Sequence, residues 1–110
     1  MPGHDPDAIL QTGSFSNCDL REIDFSGKVL NNIEINRGDL SKSRLNKTVS
    51  KNSIFTEVKL NKCNLMLINL SGSKIERSLF NESAINNADF SNTKIERTEF
   101  SKHECLTALL

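Results

Sequence analysis

Large apolar side chains recur at every fifth position of this chain, and polar residues fill most of the positions between them. From Phe15 to Cys105, every position whose number is a multiple of five holds Leu, Ile or Phe, except Ser50 and Cys105. All six phenylalanines of the sequence belong to this set. Such a strict interval predicts one inward-pointing side chain in every five residues.

Neither of the regular elements accommodates a five-residue period. A five-residue step turns an α-helix by roughly 140°, so the apolar positions would spread around its whole surface. In a flat strand, an odd interval sends successive members to opposite faces. The chain therefore has to bend once in every five residues, and four bends of about a right angle close one coil.

Two further regularities support a coil of twenty residues. The segments SKIERSLF (residues 73–80) and TKIERTEF (residues 93–100) begin twenty residues apart, as segments in successive coils should. The position two residues before each large side chain mostly holds Gly, Ala, Ser, Cys, Thr or Val, which allows a tightly packed interior. The sequence thus predicts a solenoid in which each coil buries its apolar side chains against its neighbours.

Short motifs within these repeats are similar to those of a known family. The clearest are Cys18-Asp19-Leu20, Gly38-Asp39-Leu40, Cys63-Asn64-Leu65 and Ala88-Asp89-Phe90. They resemble the A-(D/N)-L-x-x motif of pentapeptide-repeat proteins. This resemblance implies an all-β solenoid, a right-handed quadrilateral β-helix. We place it over residues 13–102, and at the usual strand spacing it would have about 4–5 coils.

Both ends of the chain carry helix signals. Asp5 and Pro6 predict a helical turn within residues 1–12, which would form an N-terminal cap unless this lead derives from cloning. Residues 103–110 follow a capping-box spacing that begins at Ser101, and they predict a short amphipathic helix. Its apolar residues are Leu106, Leu109 and Leu110. They would cap the last coil, contact a second copy in a homodimer or begin a further domain.

The repeat is least regular at Ser50, where a small polar residue takes the place of a large apolar one. Val49 stands beside it, and a local bulge that turns Val49 inward would refill the core. We therefore expect a bulge at this point of the solenoid.

Charged residues balance over the whole chain but not along it. The formal net charge is zero, while residues 37–62 carry an excess of bases. These bases are Arg37, Lys42, Arg44, Lys47, Lys51, Lys59 and Lys62. Two interpretations of this basic belt stay open: solvation of a repeat surface, or a dock for an acidic protein. Nucleic-acid binding is not expected, because no aromatic side chain is left outside the core to stack on bases.

Several large apolar residues fall at positions that should face water. Met66 and Leu67 are adjacent there, and the full set is Val29, Val49, Ile54, Met66, Leu67 and Leu79. Isolated exposed apolar side chains are common, whereas a cluster of them marks a protein contact. The candidate partner-contact residues are therefore Met66, Leu67, Leu79, Arg44, Lys47 and Lys62.

The chain lacks the constellations of residues that catalysis requires. It has no Gly-rich phosphate loop, no H-E-x-x-H motif and no nucleophile elbow. His4 and His103 lie at opposite ends of the predicted rod, too far apart to share a metal ion. Cys18, Cys63 and Cys105 fall at inward positions and are expected to be buried, reduced thiols. We expect no enzyme activity, no catalytic residue and neither a cofactor nor a metal.

The location of the protein is predicted from the same features. Reduced thiols favour the cytoplasm, and the absence of a long apolar run argues against a membrane partner. The N-terminus has no signal-peptide pattern, although secretion as an effector into a host cell stays open.

These features favour a non-enzymatic module that offers a rigid surface to another protein, either as a stand-alone bacterial protein or as the repeat domain of a larger one such as a bacterial effector. The resemblance implies the same role, since similar β-helices form the front part of HECT-like ubiquitin-ligase effectors of enteric bacteria, where they contribute to partner binding. The alternative within the family is a DNA mimic that binds a type II topoisomerase (gyrase), as the quinolone-resistance members do. Such a mimic needs a long negative surface, which a zero net charge and a basic belt do not provide.

Overall fold

A parallel sheet runs along one side of the coiled chain. The computed structural model describes residues 13–100 and the backbone of Ala108–Leu109. The strands are β1 (Ser14–Ser16), β2 (Glu34–Asn36), β3 (Ile54–Thr56), β4 (Lys74–Glu76), β5 (Ala88–Asp89), β6 (Lys94–Glu96) and β7 (Ala108–Leu109). Five of them form the sheet in the order β1-β2-β3-β4-β6. Each strand pairs with the strand twenty residues before it, so Phe15, Ile35 and Phe55 stack in register.

The other three sides of each coil are held mainly by single parallel bridges between residues twenty apart. The first of these bridges are Asp19–Asp39, Asp24–Arg44 and Val29–Val49. We number the four sides by the first inward residue on each, in the order Phe15, Leu20, Phe25 and Leu30. Corner 3/4 then joins sides 3 and 4, and the other corners are named in the same way. The predicted fold is confirmed as a four-sided parallel β-solenoid of about four turns.

The backbone turns each corner through a residue in the left-handed region. Every fifth residue from Asn17 to Arg97 has a φ between 51° and 74°. Several corners are closed by a hydrogen bond from the N–H of their fourth residue to the carbonyl of their first, as from Ser43 to Leu40 at 3.1 Å. This is the geometry of a type II turn, whose third residue takes a positive φ.

Buried hydroxyl groups close other corners from the next coil. The N–H of Ile23 donates to Oγ of Ser43 at 3.2 Å, and that hydroxyl donates to the carbonyl of Leu20 at 3.0 Å. The same pair of bonds is made by Ser53, Ser73 and Ser83. Buried backbone groups have to be hydrogen-bonded, so these small residues join successive coils as well as leaving space for large ones.

The interior is filled by the apolar column, and its C-terminal part is aromatic. Phe80 and Phe90 are fully buried, and Phe100 packs against them. Phe100 stacks on Phe80 with ring centroids 4.8 Å apart and meets Phe90 edge-on at 6.0 Å. Both are favoured geometries for aromatic pairs. The cluster connects sides 2 and 4 across the interior.

The bulge predicted at Ser50 is wrong. Val49 keeps its outward place and bridges both Val29 and Asn69, so the register of side 4 is unbroken. Ser50 is buried, and its hydroxyl pairs with Oγ of Ser53 at 3.0 Å. Because this partner satisfies the hydroxyl, the core column accepts a small polar residue without a change in the backbone.

The small side chain of Ser50 borders an internal cavity of about 20 Å³. Phe25, Phe55 and Leu70 contribute to its lining. The cavity is therefore apolar around a single hydroxyl that already has a partner.

Replacing Ser50 with leucine is expected to raise the free energy of unfolding by about 1–2 kcal/mol, because the new side chain fills an apolar cavity. Leu30 and Leu70 occupy the same place on side 4 in the neighbouring coils, so the backbone suits leucine. Urea denaturation measures the change. Ser50→Ala removes the hydroxyl without filling the cavity, and this control should be no more stable than the wild type. A leucine variant less stable than the alanine variant would contradict the prediction.

The helical cap predicted over residues 103–110 is wrong where the structure describes that segment. Ala108–Leu109 form strand β7, which pairs in parallel with β5. An open strand edge favours pairing with another strand, and here it extends the solenoid. The cap predicted within residues 1–12 lies outside the described residues, as do Leu106 and Leu110. The homodimer contact proposed for the C-terminal leucines stays a prediction.

Candidate protein-docking surface

Polar side chains on the outer positions bond to the backbone of their own coil. Asp24 accepts the hydroxyl of Ser26 at 2.6 Å and the N–H of Ser26 at 2.9 Å. These two bonds hold the pKa of Asp24 below its usual range, and the nearby charge of Arg44 adds to the effect. Asn64, two coils further on, accepts the N–H of Met66 at 3.1 Å in the same way. This Asx arrangement explains why Asp or Asn precedes the central residue of the motif.

Two large apolar side chains stand on corner 3/4. Met66 is 39% exposed and Leu67 is 49% exposed. Leu67 has a φ of 61°, although the left-handed region costs an ordinary residue roughly 1–2 kcal/mol. The equivalent corner position holds Gly27, Lys47 and Asn87 in the other coils. The positive φ is common to all corners of the solenoid, so it is the exposed apolar pair that marks this corner as a candidate functional site.

Lys47 lies one coil before Leu67 on the same corner. Its N–H donates to the carbonyl of Met66 at 2.9 Å, so the two corner segments stack in register. Its side chain is exposed and makes no ion pair with any other described residue. The corner therefore combines an apolar pair with a cation that is available to a partner.

Three further cations occupy side 3 and its other corner. Arg44 lies in the middle of side 3, where its backbone bridges Asp24 and Asn64. Lys42 and Lys62 lie on corner 2/3, one coil apart. All three cations are exposed, and the salt bridges in residues 13–100 involve other residues. Their positive charges therefore face solvent.

The structure does not bring Leu79 together with the other candidates. It lies on side 2, where its backbone bridges Lys59 and Glu99, and its side chain is half-buried. The candidates that do share side 3 and its two corners are Arg44, Lys47, Lys62, Met66 and Leu67. We call these five residues, together with Lys42, the docking surface.

Val29 and Val49 are outward-facing apolar residues that are not among the contact residues predicted from the sequence. Val29 is 56% exposed, and its backbone bridges that of half-buried Val49 on side 4. The sequence contains the signal, because both valines take the same outward position and are twenty residues apart. To see that they lie near Leu67, one has to know where the backbone turns each corner, and the pattern of inward apolar residues does not show this.

Burial keeps the thiols of the described residues unreactive. Sγ of Cys63 donates to the carbonyl of Leu40 at 3.0 Å, and burial raises the pKa of this thiol to about 12. Burial also raises the pKa of the half-buried Cys18 thiol. Cys105 lies outside the described residues.

Residues 13–100 contain no group of three or more His, Cys, Asp or Glu side chains placed to hold a metal ion. The described part of the chain also contains no helix with the length and apolar character needed to cross a membrane.

A sequence comparison agrees with the four-sided fold. The family model for pentapeptide repeats matches 8 copies over residues 36–72 and 63–101, which together make up more than half of the 110 residues. The chain belongs to the pentapeptide-repeat family. No curated protein sequence matches it.

Two solved structures of cyanobacterial pentapeptide-repeat proteins are similar to the chain. HetL from Nostoc sp. strain PCC 7120, involved in heterocyst differentiation regulation, shares 24% identity with a TM-score of 0.69. The match covers 71% of this chain and 33% of HetL. Rfr23 from Cyanothece 51142 shares 21% identity with a TM-score of 0.61, over 83% of this chain and 60% of Rfr23. The chain thus spans less than two thirds of either protein, and these similarities show the fold alone.

Proposed function

We propose that this protein is a rigid, non-enzymatic interaction module that binds another protein through the docking surface. The observation that carries the proposal is the exposed Leu67 beside the exposed Met66. Exposure of an apolar pair to water is unfavourable, and burial against a partner removes that exposure. Hydrogen bonds between successive coils hold the corner segments in place, so little order has to be gained on binding.

The residues around the docking surface favour a protein partner over a nucleic acid. The phenylalanines all lie in the core or pack against it, so no aromatic side chain in residues 13–100 is available to stack on bases. Side 3 is basic in its middle coils, whereas a mimic of DNA needs a negative surface there. The free thiols of Cys18 and Cys63 suit a reducing compartment, and we place the action of the protein in the cytoplasm.

The double variant Met66→Ser/Leu67→Asn tests the proposal. Asparagine suits position 67, because Asn87 takes the same corner position at a φ of 59°. Ile54→Ser is the matched control, since it removes an apolar side chain that is 40% exposed from side 1. Each protein is immobilised and exposed to an extract of the native organism, and retained proteins are identified by mass spectrometry. Calorimetry with each purified partner then gives its affinity.

We expect a partner whose affinity falls about tenfold or more for the double variant, as is typical of apolar residues at the centre of an interface. The affinity for Ile54→Ser should equal that of the wild type. Thermal melting followed by circular dichroism establishes that both variants are folded. Equal affinity for all three proteins would contradict the proposal, and so would the absence of any specific partner even after chemical cross-linking.

A further inference from the structure

Apolar side chains continue from corner 3/4 onto side 4. Val29 and Val49 lie one above the other there, in the two coils that precede Leu67. Leu67 stands at the corner where side 4 begins, with Met66 beside it. Of the described residues with large exposed apolar side chains, only Ile54 lies elsewhere, on side 1. The two valines stack along the solenoid axis, and Leu67 is offset from them towards the corner. Together with Met66 they form an apolar patch that spans three coils.

Cations lie beside this apolar patch, most of them in one coil. Lys47 stands on the corner itself, and Arg44 lies on side 3 in the same coil. Lys42 and Lys62 lie on the far corner of side 3, one coil apart. Asp24 offsets part of this charge, but it lies in the first coil and is held by its own bonds to Ser26. A partner that covers the apolar patch and the cations has to be apolar on one flank and acidic on the other.

The spacing of the coils distinguishes between two shapes of partner. Hydrogen-bonded coils repeat at about 4.8 Å along the axis. Successive turns of an α-helix are about 5.4 Å apart, whereas side chains on one face of an extended strand are about 6.6 Å apart. A helix that lies parallel to the solenoid axis therefore matches an apolar patch that spans three coils more closely than a strand does.

We propose that the docking surface, together with Val29 and Val49 on side 4, binds an acidic amphipathic helix of a partner protein. Its apolar stripe covers Val29, Val49 and Leu67, and its carboxylates pair with Arg44 and Lys47. This inference rests on the proposed function and adds the chemistry of the partner. Helices commonly bind through a stripe of apolar residues at i, i+3, i+4 and i+7, and flanking charges select the partner and its orientation.

Synthetic peptides of about 18 residues, long enough to form a helix, test the inference on the full chain. The first carries Leu along one helical face and Glu along the other, the second is a scramble of the same composition, and the third has Lys in place of Glu. Fluorescence anisotropy measures affinity, and circular dichroism measures helix formation. The first peptide should gain helicity and bind about fivefold or more tightly than the other two, with affinity that falls as salt is added.

Paired variants of the protein locate the binding. Arg44→Glu should weaken binding of the acidic peptide about fivefold or more, and Lys74→Glu, with the same change of charge on side 1, should leave it unchanged. Val29→Thr should also weaken it, while Ile54→Thr on side 1 should not. In each pair, the two substitutions make the same chemical change, but they lie on different sides of the solenoid.

Four results would overturn the inference. They are equal binding of the scramble or of the basic peptide, equal binding of a single-stranded DNA of the same length, equal loss in the paired controls, and no peptide binding. If a partner is still lost with Met66→Ser/Leu67→Asn, the proposed function stands and only the acidic helix is excluded. If neither a partner nor a peptide binds, both proposals fail.

Discussion

Replacing Phe80 with alanine should lower the free energy of unfolding by about 3–5 kcal/mol, the usual cost of removing an aromatic side chain from a packed core. Phe80 is fully buried. Its ring stacks on that of Phe100 at 4.8 Å and meets Phe90 edge-on at 6.5 Å. The variant therefore leaves a cavity and also loses two aromatic contacts, each of which contributes about 0.5–1.5 kcal/mol beyond the buried area.

Urea denaturation measures this loss, and Phe80→Leu is the control. Leucine is native at the same place on side 2 in the three preceding coils, as Leu20, Leu40 and Leu60. The leucine variant keeps most of the apolar volume and loses the two aromatic contacts, so it should cost about 1–3 kcal/mol, less than the alanine variant. Equal losses in the two variants would show that stability does not follow the buried apolar volume, contrary to the prediction.

Gly38→Ala should cost about 1–3 kcal/mol, because the interior has no space for one more methyl group. A Cβ at this position would lie 2.6 Å from Cγ2 of Ile35 and 3.2 Å from Sγ of Cys18. Ile35 is buried and branched at Cβ, so its methyl group moves only if the side chain leaves its preferred rotamer. The glycine is thus required mainly by its contact with Ile35 in the same coil, and secondly by Cys18 in the preceding coil.

Gly27→Asn is the control for this change, measured by the same denaturation. Gly27 has a φ of 72°, and nothing lies within 4 Å of a Cβ added there. Asn87 shows that the same corner position accepts asparagine. The control should stay within about 0.5 kcal/mol of the wild type, as is usual for surface changes. A Gly38→Ala protein as stable as the control would show that Ile35 yields more easily than its packing indicates.

The five-residue period was sufficient to predict the fold because one physical requirement determines it. A side chain such as Phe25 or Leu40 can be buried every fifth residue only if the backbone turns once in each repeat. The register follows from the same requirement, since four equal sides place Phe55 above Ile35, as the structure confirms. Composition adds nothing to this inference.

The local structure at Ser50 and at the C-terminal end was less predictable, because the sequence does not show which polar groups find a hydrogen-bond partner. Ser50 looks like a defect in the core column, yet Ser53 satisfies its hydroxyl and removes the need for a bulge. The spacing from Ser101 is typical of a helix start, yet Ala108–Leu109 pair with the open edge of β5. A hydrogen-bond partner around the next corner determined the first outcome, and a strand of the neighbouring coil determined the second.

The candidate site was predictable in residue type but not in arrangement. Met66, Leu67 and Arg44 stand at outward positions, and their exposure agrees with the prediction. The positive φ of Leu67 follows from corner geometry, which the apolar column does not specify. The half-burial of Leu79 on side 2 likewise depends on the neighbours that stack above and below it.

Because residues twenty apart pair between coils, the direction in which an outward side chain faces depends on its position within the coil. Inserting five residues between Val49 and Leu67 would rotate every later side by one corner about the axis and carry Leu67 away from the valines. Inserting twenty would restore the direction of Leu67 and move it one coil further along. Gain or loss of whole coils therefore changes the length of the solenoid. A single added repeat instead turns all later outward side chains to face another direction.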